Sequence, residues 1–289
     1  MKPMTNSCPD CGAAFPDVLD VLPDQRRRLS CRRCDHVWVG GEAQPMRASR
    51  LGSPRPVRSY FDTKAGFPTP DQVEPSRLAR VAALKARFLS EHPTPAPRVA
   101  DFWVTYQQVF SQDGLEQADP KALHYFANSP VGANAGQMTV FNNTWKEIGA
   151  QEGARRVAQS ISYLLHGPED ERRSDRLTYL LQPGCPIGMK GWKEALLTKV
   201  LCIVEPNRFL PIVTYASPGV GKRALADLIW GLKLPETNRT SMTRGRLTFW
   251  SNDLLLALTG DGFAHAEQAS SFLWWSRDFG AELAGAPAL

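Results

Sequence analysis

Two Cys-x-x-Cys pairs, Cys8-Pro-Asp-Cys11 and Cys31-Arg-Arg-Cys34, open this 289-residue chain, with 19 residues between them. Four thiolates at that spacing can close a tetrahedral zinc site, because each pair makes a tight turn that aims two sulfurs at one metal. Such a site leaves no coordination position for water, so the one zinc expected here is structural. A redox Cys-x-x-Cys usually opens a helix after a strand, and a single pair suffices for it. Two matched pairs argue for metal instead. His36 lies two residues past Cys34 and could replace a ligand, but with four cysteines at hand it is expected to be a surface histidine.

The flanks supply what such a site needs. Gly12 follows the first pair, where the turn calls for positive φ. Asp35-His36-Val37-Trp38-Val39 reads as a short alternating strand, and Val18, Val21 and Leu22 lie between the pairs. A unit this small buries too little surface to fold alone, so metal binding would supply its folding free energy. The segments Cys8-Pro-Asp-Cys11-Gly12-Ala13-Ala14-Phe15 and Leu29-Ser30-Cys31-Arg32-Arg33-Cys34-Asp35-His36-Val37-Trp38 resemble a bacterial zinc-ribbon family. In that family a membrane span often follows the ribbon. Here the longest apolar runs, such as Val200-Leu201-Cys202-Ile203-Val204, are too short to cross a bilayer.

The pattern predicts three parts: a small β zinc ribbon over 1–40, a flexible Pro-rich linker over 41–75, and a mainly helical (α+β) domain over 76–289. The linker holds Pro45, Pro54, Pro56, Pro68, Pro70 and Pro75 among few large apolar residues. It should not build a core, which would leave the ribbon tethered rather than packed. Helices are expected over 76–91, 101–110, 120–127, 152–166, 176–182, 191–204, 223–230, 253–259 and 264–278. The clearest is 152–166, where Ala154, Val157, Ala158, Ile161, Leu164 and Leu165 form one stripe and Gly167-Pro168 ends it. Gln137–Phe141 reads either as a short strand or as the entry to a helix. Strand character is confined to 208–215, which Pro211 makes either an edge strand or an extended segment, and to 246–250.

Composition is that of an ordinary soluble protein, with 43% apolar and 22% charged residues. No signal pattern opens the chain, so a cytoplasmic location without membrane contact is expected. Cys185 and Cys202 are isolated, which also fits a reducing compartment. The net charge of +5 is uneven. Residues 1–60 hold 10 basic against 6 acidic side chains, and residues 186–250 hold 10 against 4. Basic blocks are candidate phosphate-binding faces. The expected nucleic-acid contacts are Arg26, Arg27, Arg28, Arg32 and Arg33 on the ribbon, and Lys222, Arg223, Arg244 and Arg246 on the body.

Ala216-Ser217-Pro218-Gly219-Val220-Gly221-Lys222-Arg223 imitates a P-loop but lacks two of its parts. Ala216 stands where the first glycine belongs, and Arg223 stands where the magnesium-binding hydroxyl belongs. Nucleotide hydrolysis is therefore not expected, although such a turn could still meet a phosphate. No HExxH pair, GxSxG elbow or histidine cluster is present, so no catalytic residue is assigned. Trp250, Trp274 and Trp275 lie near Arg244, Arg246 and Arg277, where aromatic faces either pack or stack on a base.

Lys199-Val200-Leu201-Cys202-Ile203-Val204-Glu205-Pro206-Asn207-Arg208-Phe209-Leu210-Pro211-Ile212-Val213 resembles the N-terminal specificity region of McrB-type restriction and defence proteins. The resemblance spans residues 192–278. It implies a DNA-reading module of a restriction or phage-defence system, served by a separate motor or nuclease subunit. The alternative is a zinc-ribbon adaptor that binds another protein without touching nucleic acid.

Overall fold

The computed structural model describes residues 7–14, 16–21, 26–34, 36–41, 60–92 and 98–285. At the N-terminus, β1 (Asp17–Val21), β2 (Arg27–Ser30) and β3 (Val37–Gly40) form one antiparallel sheet in the order β1-β2-β3. Leu29 sits opposite Val18 on one side and Trp38 on the other, and the register slips between Val18 and Asp20. One cysteine pair precedes β1 and the other joins β2 to β3, so the sheet brings two distant turns to one end.

The rest is helical. α1 (Tyr60–Ala65) and a 3-10 turn at Pro70–Gln72 lead into α2 (Pro75–Glu91). Then follow α3 (Arg98–Val109), α4 (Gln112–Glu116), α5 (Pro120–Asn128), α6 (Thr139–Ile148) and α7 (Ala150–His166). α8 (Arg173–Leu180), α9 (Glu194–Val204), α10 (Lys222–Trp230), α11 (Arg244–Thr259), α12 (Ala266–Ser276) and α13 (Gly280–Leu283) complete the body. The stripe expected on α7 is buried at Ala154, Val157, Ile161, Leu164 and Leu165. α9 is apolar nearly all round and buried from Leu196 to Ile203, as a helix must be when neighbours surround it. Gly245 lets α11 approach α8, since a Cβ there would lie 2.1 Å from the Ser174 carbonyl oxygen.

Three expectations change. The linker expected over 41–75 folds from residue 60 onward: Tyr60, Phe67 and Val73 enter the main core, and Trp250 Nε1 donates to the Tyr60 hydroxyl at 2.7 Å. Residues 42–59 lie outside the described residues. The strand expected over 246–250 is helix, and α11 runs unbroken from Arg244, with the Thr243 side chain capping the amide of Arg246. Residues 208–215 form no strand either. Their backbone turns at Arg208 and bends at Pro211, and it is held by Asn252, which accepts from Leu210 N–H at 2.9 Å and donates to the Arg208 carbonyl at 2.7 Å. One buried amide side chain thus does the work of a β-partner. Gln137–Phe141 resolves into the entry of α6.

Candidate metal centre and its seat on the body

The four cysteines expected as ligands lie together. The Sγ atoms of Cys8, Cys11, Cys31 and Cys34 all fall within 4.8 Å of one another. Cys8 and Cys34 are 3.5 Å apart, and Cys11 and Cys31 are 3.4 Å apart. Metal–sulfur bonds of about 2.3 Å in a tetrahedron set sulfur–sulfur edges of about 3.8 Å, so the cluster could hold one metal ion. The thiols are free, and these separations far exceed the roughly 2.05 Å of a disulfide.

Backbone turns hold the sulfurs in place. In the first, Gly12 N–H donates to the Cys8 carbonyl at 2.9 Å, and Cys8 N–H donates to that of Ala13 at 2.8 Å. Gly12 takes φ +70°, as its place in the sequence requires. In the second, the amides of Arg33 and Cys34 point at Cys31 Sγ at 3.3 and 3.4 Å. Such donors stabilise thiolate charge. Burial pushes the bare Cys31 and Cys34 thiols up. At Cys8 burial acts the same way, but hydrogen bonds from the Cys11 and Asp10 amides outweigh it and bring the thiol down. His36 takes no place in the cluster; it pairs with Asp10 at 2.7 Å and stacks on Trp38.

The ribbon is packed on the body, contrary to the tethered arrangement expected. Asp17, the first residue of β1, is the joint. Its Oδ1 accepts from Arg32 Nε at 2.7 Å, and its Oδ2 accepts from Arg172. Arg172 is buried, with its guanidinium 3.8 Å from the Tyr60 ring centroid. Arg32 also donates to the Asp170 carbonyl, and Arg173 donates to the Arg33 carbonyl at 3.3 Å. Ala14 N–H donates to Glu169 Oε2 at 3.3 Å. The run Glu169–Arg176 is therefore the seat. It showed only as a charged stretch in the sequence, because its partners are far away along the chain.

The expected basic contacts divide. Arg26, Arg27 and Arg28 are exposed around β2, and the Arg33 side chain is exposed. Arg32 is tied into the joint. On the body, Lys222 is fully buried and its ammonium donates to the Thr248 carbonyl at 3.3 Å, so it cannot reach a phosphate. Arg223 pairs with Glu236 at 2.5 Å, Arg244 with Glu194 at 3.2 Å and Arg246 with Asp175 at 2.6 Å. The Gly-rich turn offers no amide cradle. The amides of Val220 and Gly221 bond Ser217, and those of Lys222 and Arg223 bond Thr214 and Tyr215.

Besides Arg172 and Arg173, two further buried cations escaped the sequence reading. Lys199, on the apolar helix α9, donates to the Phe126 carbonyl at 2.9 Å and to that of Ser129. Burial brings its pKa down to about 8. Arg176 on α8 is buried and donates to the Tyr163 carbonyl at 3.1 Å. Burial first, and then the like charge of Arg173, lowers its pKa to about 10. Among the described residues, no helix is long and apolar enough to cross a membrane. The chain matches no family model, no curated protein and no solved structure.

Proposed function

We propose that the chain is a zinc-ribbon protein that binds nucleic acid, DNA in the first instance, through phosphate contacts made by the ribbon. The metal is zinc, because four thiolates in tetrahedral reach suit it and leave it closed to chemistry. The observation that carries the reading is Arg26-Arg27-Arg28, three consecutive exposed arginines on a small sheet whose position is fixed by the cysteine turns and by Asp17. The body arginines expected as contacts, Arg223, Arg244 and Arg246, each pair with a carboxylate, which shifts the weight of the reading from the body to the ribbon. A role as the DNA-recognition part of a restriction or phage-defence system follows from the McrB-type resemblance. It would require a motor or nuclease supplied by another chain.

Salt titration of DNA binding tests this. For duplex DNA, each arginine that meets a phosphate contributes roughly 0.9 to the slope of log affinity against log salt. Changing Arg26, Arg27 and Arg28 together to Gln should flatten that slope, whereas Arg223→Gln should leave it unchanged. If the full chain shifts neither single- nor double-stranded DNA or RNA at low salt, the reading is lost.

A second reading rests on one observation. Val18, Val37 and Val39 are 49%, 46% and 47% exposed on the same small sheet. A protein partner could cover them, which would make the ribbon an adaptor. Binding that resists salt and fails in Val39→Asp would favour this alternative.

A further inference from the structure

Three arginines are buried among the described residues, and all belong to the seat of the ribbon: Arg172, Arg173 and Arg176. Arg172 pairs with Asp17, and Arg173 with Glu205. Among the described residues, Arg176 makes no ion-pair contact with a carboxylate. Its one hydrogen bond goes to the Tyr163 carbonyl, and its Nε is buried without any acceptor. The charge of Glu171 is felt at Arg176 but makes no ion-pair contact with it, and a buried cation so weakly compensated is costly. The nearby acids are engaged elsewhere. Glu171 accepts from the Tyr163 hydroxyl at 2.6 Å, and Glu169 accepts from the Ala14 amide.

Arg176 lines a cavity of 220 Å³ between ribbon and body, together with Ala13, Arg33, His166, Gly167 and Glu169. Arg33 enters from the ribbon and has no carboxylate partner either among the described residues. Its charge is felt at Arg176 as repulsion. His166 Nε2 is 2.8 Å from the Phe110 carbonyl; that oxygen only accepts, so the ring proton sits on Nε2. The cavity is smaller than the roughly 300–1,000 Å³ of small-molecule pockets. It has ample room for one tetrahedral oxyanion.

We infer that this cavity is a phosphate-binding site, in which the guanidinium groups of Arg33 and Arg176 close on one phosphate group between the ribbon and the helical body. Arginine suits the task, since its planar fork matches phosphate oxygens and holds its charge at any physiological pH. Glu169, at the rim, opposes the anion and keeps the site selective for groups that both arginines can reach. The bound anion would add a link between ribbon and body beside the Asp17 joint. The site rests on the nucleic-acid reading only for the source of its phosphate, which is either the free anion or a phosphate of a strand.

The test uses the full, metal-loaded chain and inorganic phosphate, followed by calorimetry and by thermal melting at constant ionic strength. Saturable binding near one phosphate per chain is expected. Arg33→Gln should weaken it at least tenfold with metal content kept and no fall in the melting temperature of the free protein, because the fold uses only the Arg33 backbone and the lost charge repelled Arg176. Arg176→Lys keeps the charge but loses the fork and should also weaken it. Absence of saturable binding at millimolar phosphate, or binding undiminished in Arg33→Gln, overturns the site. A second arm compares one oligonucleotide with a 5′-phosphate or a 5′-hydroxyl. Preference for the 5′-phosphate, lost in Arg33→Gln, assigns a strand end as the source. Equal binding of both, with inorganic phosphate competing, assigns an internal phosphate. If phosphate binds and no oligonucleotide does, the site stands for the free anion and the nucleic-acid reading falls. If oligonucleotides bind while phosphate does not, that reading stands and the site falls.

Discussion

The apolar cluster of the ribbon consists of Cys8, Ala13 and Cys31, with Cys11, Cys34 and Trp38 against it. The body buries a core that runs from Tyr60 to Leu283 and includes Trp192, Trp230 and Trp250. One region gathers four sulfurs around a minimal apolar cluster, and the other buries a large apolar area. The same contrast holds for charge. The ribbon displays Arg26, Arg27 and Arg28 to solvent, while the body turns Arg173, Arg223, Arg244 and Arg246 onto carboxylates. The ribbon also pairs Arg32 with its own Asp17, so the contrast lies in how far Arg26, Arg27 and Arg28 are exposed.

Metal removal should separate the two regions most sharply. Structural zinc contributes roughly 10–16 kcal/mol of apparent binding free energy in small zinc folds at neutral pH. Chelation, or Cys31→Ser, should therefore abolish amide protection across β1, β2 and β3. The body should keep a cooperative melt and buried tryptophan fluorescence. Metal analysis should give about one zinc per chain in the wild type. A ribbon that keeps its amide protection without metal would break the comparison.

The joint between the regions comes next in size. Removing one partner of a buried ion pair costs about 3–5 kcal/mol, because the other charge stays buried. Arg172 is the buried member, and Asp17 is 25% exposed, so the lower end applies. Asp17→Ala should retain metal yet loosen the ribbon from Glu169–Arg176. Faster exchange of the Ala14 amide, with metal content unchanged, would report it. The same variant with metal lost would instead mean that Asp17 supports the cysteine turns through Arg32.

What the sequence revealed of these features depended on distance along the chain. The cysteine turns were legible because four consecutive residues carry each one, and the stripe of α7 because one helix face repeats. Only the second half of α11 was legible, as the helix expected over 253–259: the first half is buried at Leu247, Thr248, Phe249, Trp250, Ser251 and Asn252 in succession, so no face repeats and its aromatic and β-branched residues suggested a strand. The Gly219-Val220-Gly221-Lys222 pattern gave no hint that Lys222 points inward. The density of prolines and glycines hid Tyr60, Phe67 and Val73 as anchors. The joint itself spans 155 positions, from Asp17 to Arg172, and nothing in either local segment announces the other. For the metal, the chemistry was local and could be read early. For the seat and its cavity, only the fold brings the groups together.

The smallest effect separates the body from the ribbon by pH. Lys199 is fully buried, bonded to two carbonyls at the end of α5, with its pKa lowered to about 8. The unfolded lysine keeps its proton to about pH 10.4. Between these values the unfolded chain binds more protons than the folded one, so stability rises with pH in that window. The penalty is full below about pH 8 and fades as the solution approaches the unfolded pKa. From pH 7 to 9.5 the gain from this group is about 2 kcal/mol. Lys222 is also buried with a lowered pKa and adds the same sign, so the wild type alone is not diagnostic. The difference between wild type and Lys199→Met isolates the first lysine. The variant should be less stable at pH 9.5, where the Phe126 and Ser129 carbonyls have lost their donor, and the gap should narrow as pH falls toward 7. Denaturant unfolding of the body, followed by tryptophan fluorescence, measures it. A gap that does not change with pH would show that Lys199 titrates in the folded body as it does in the unfolded chain.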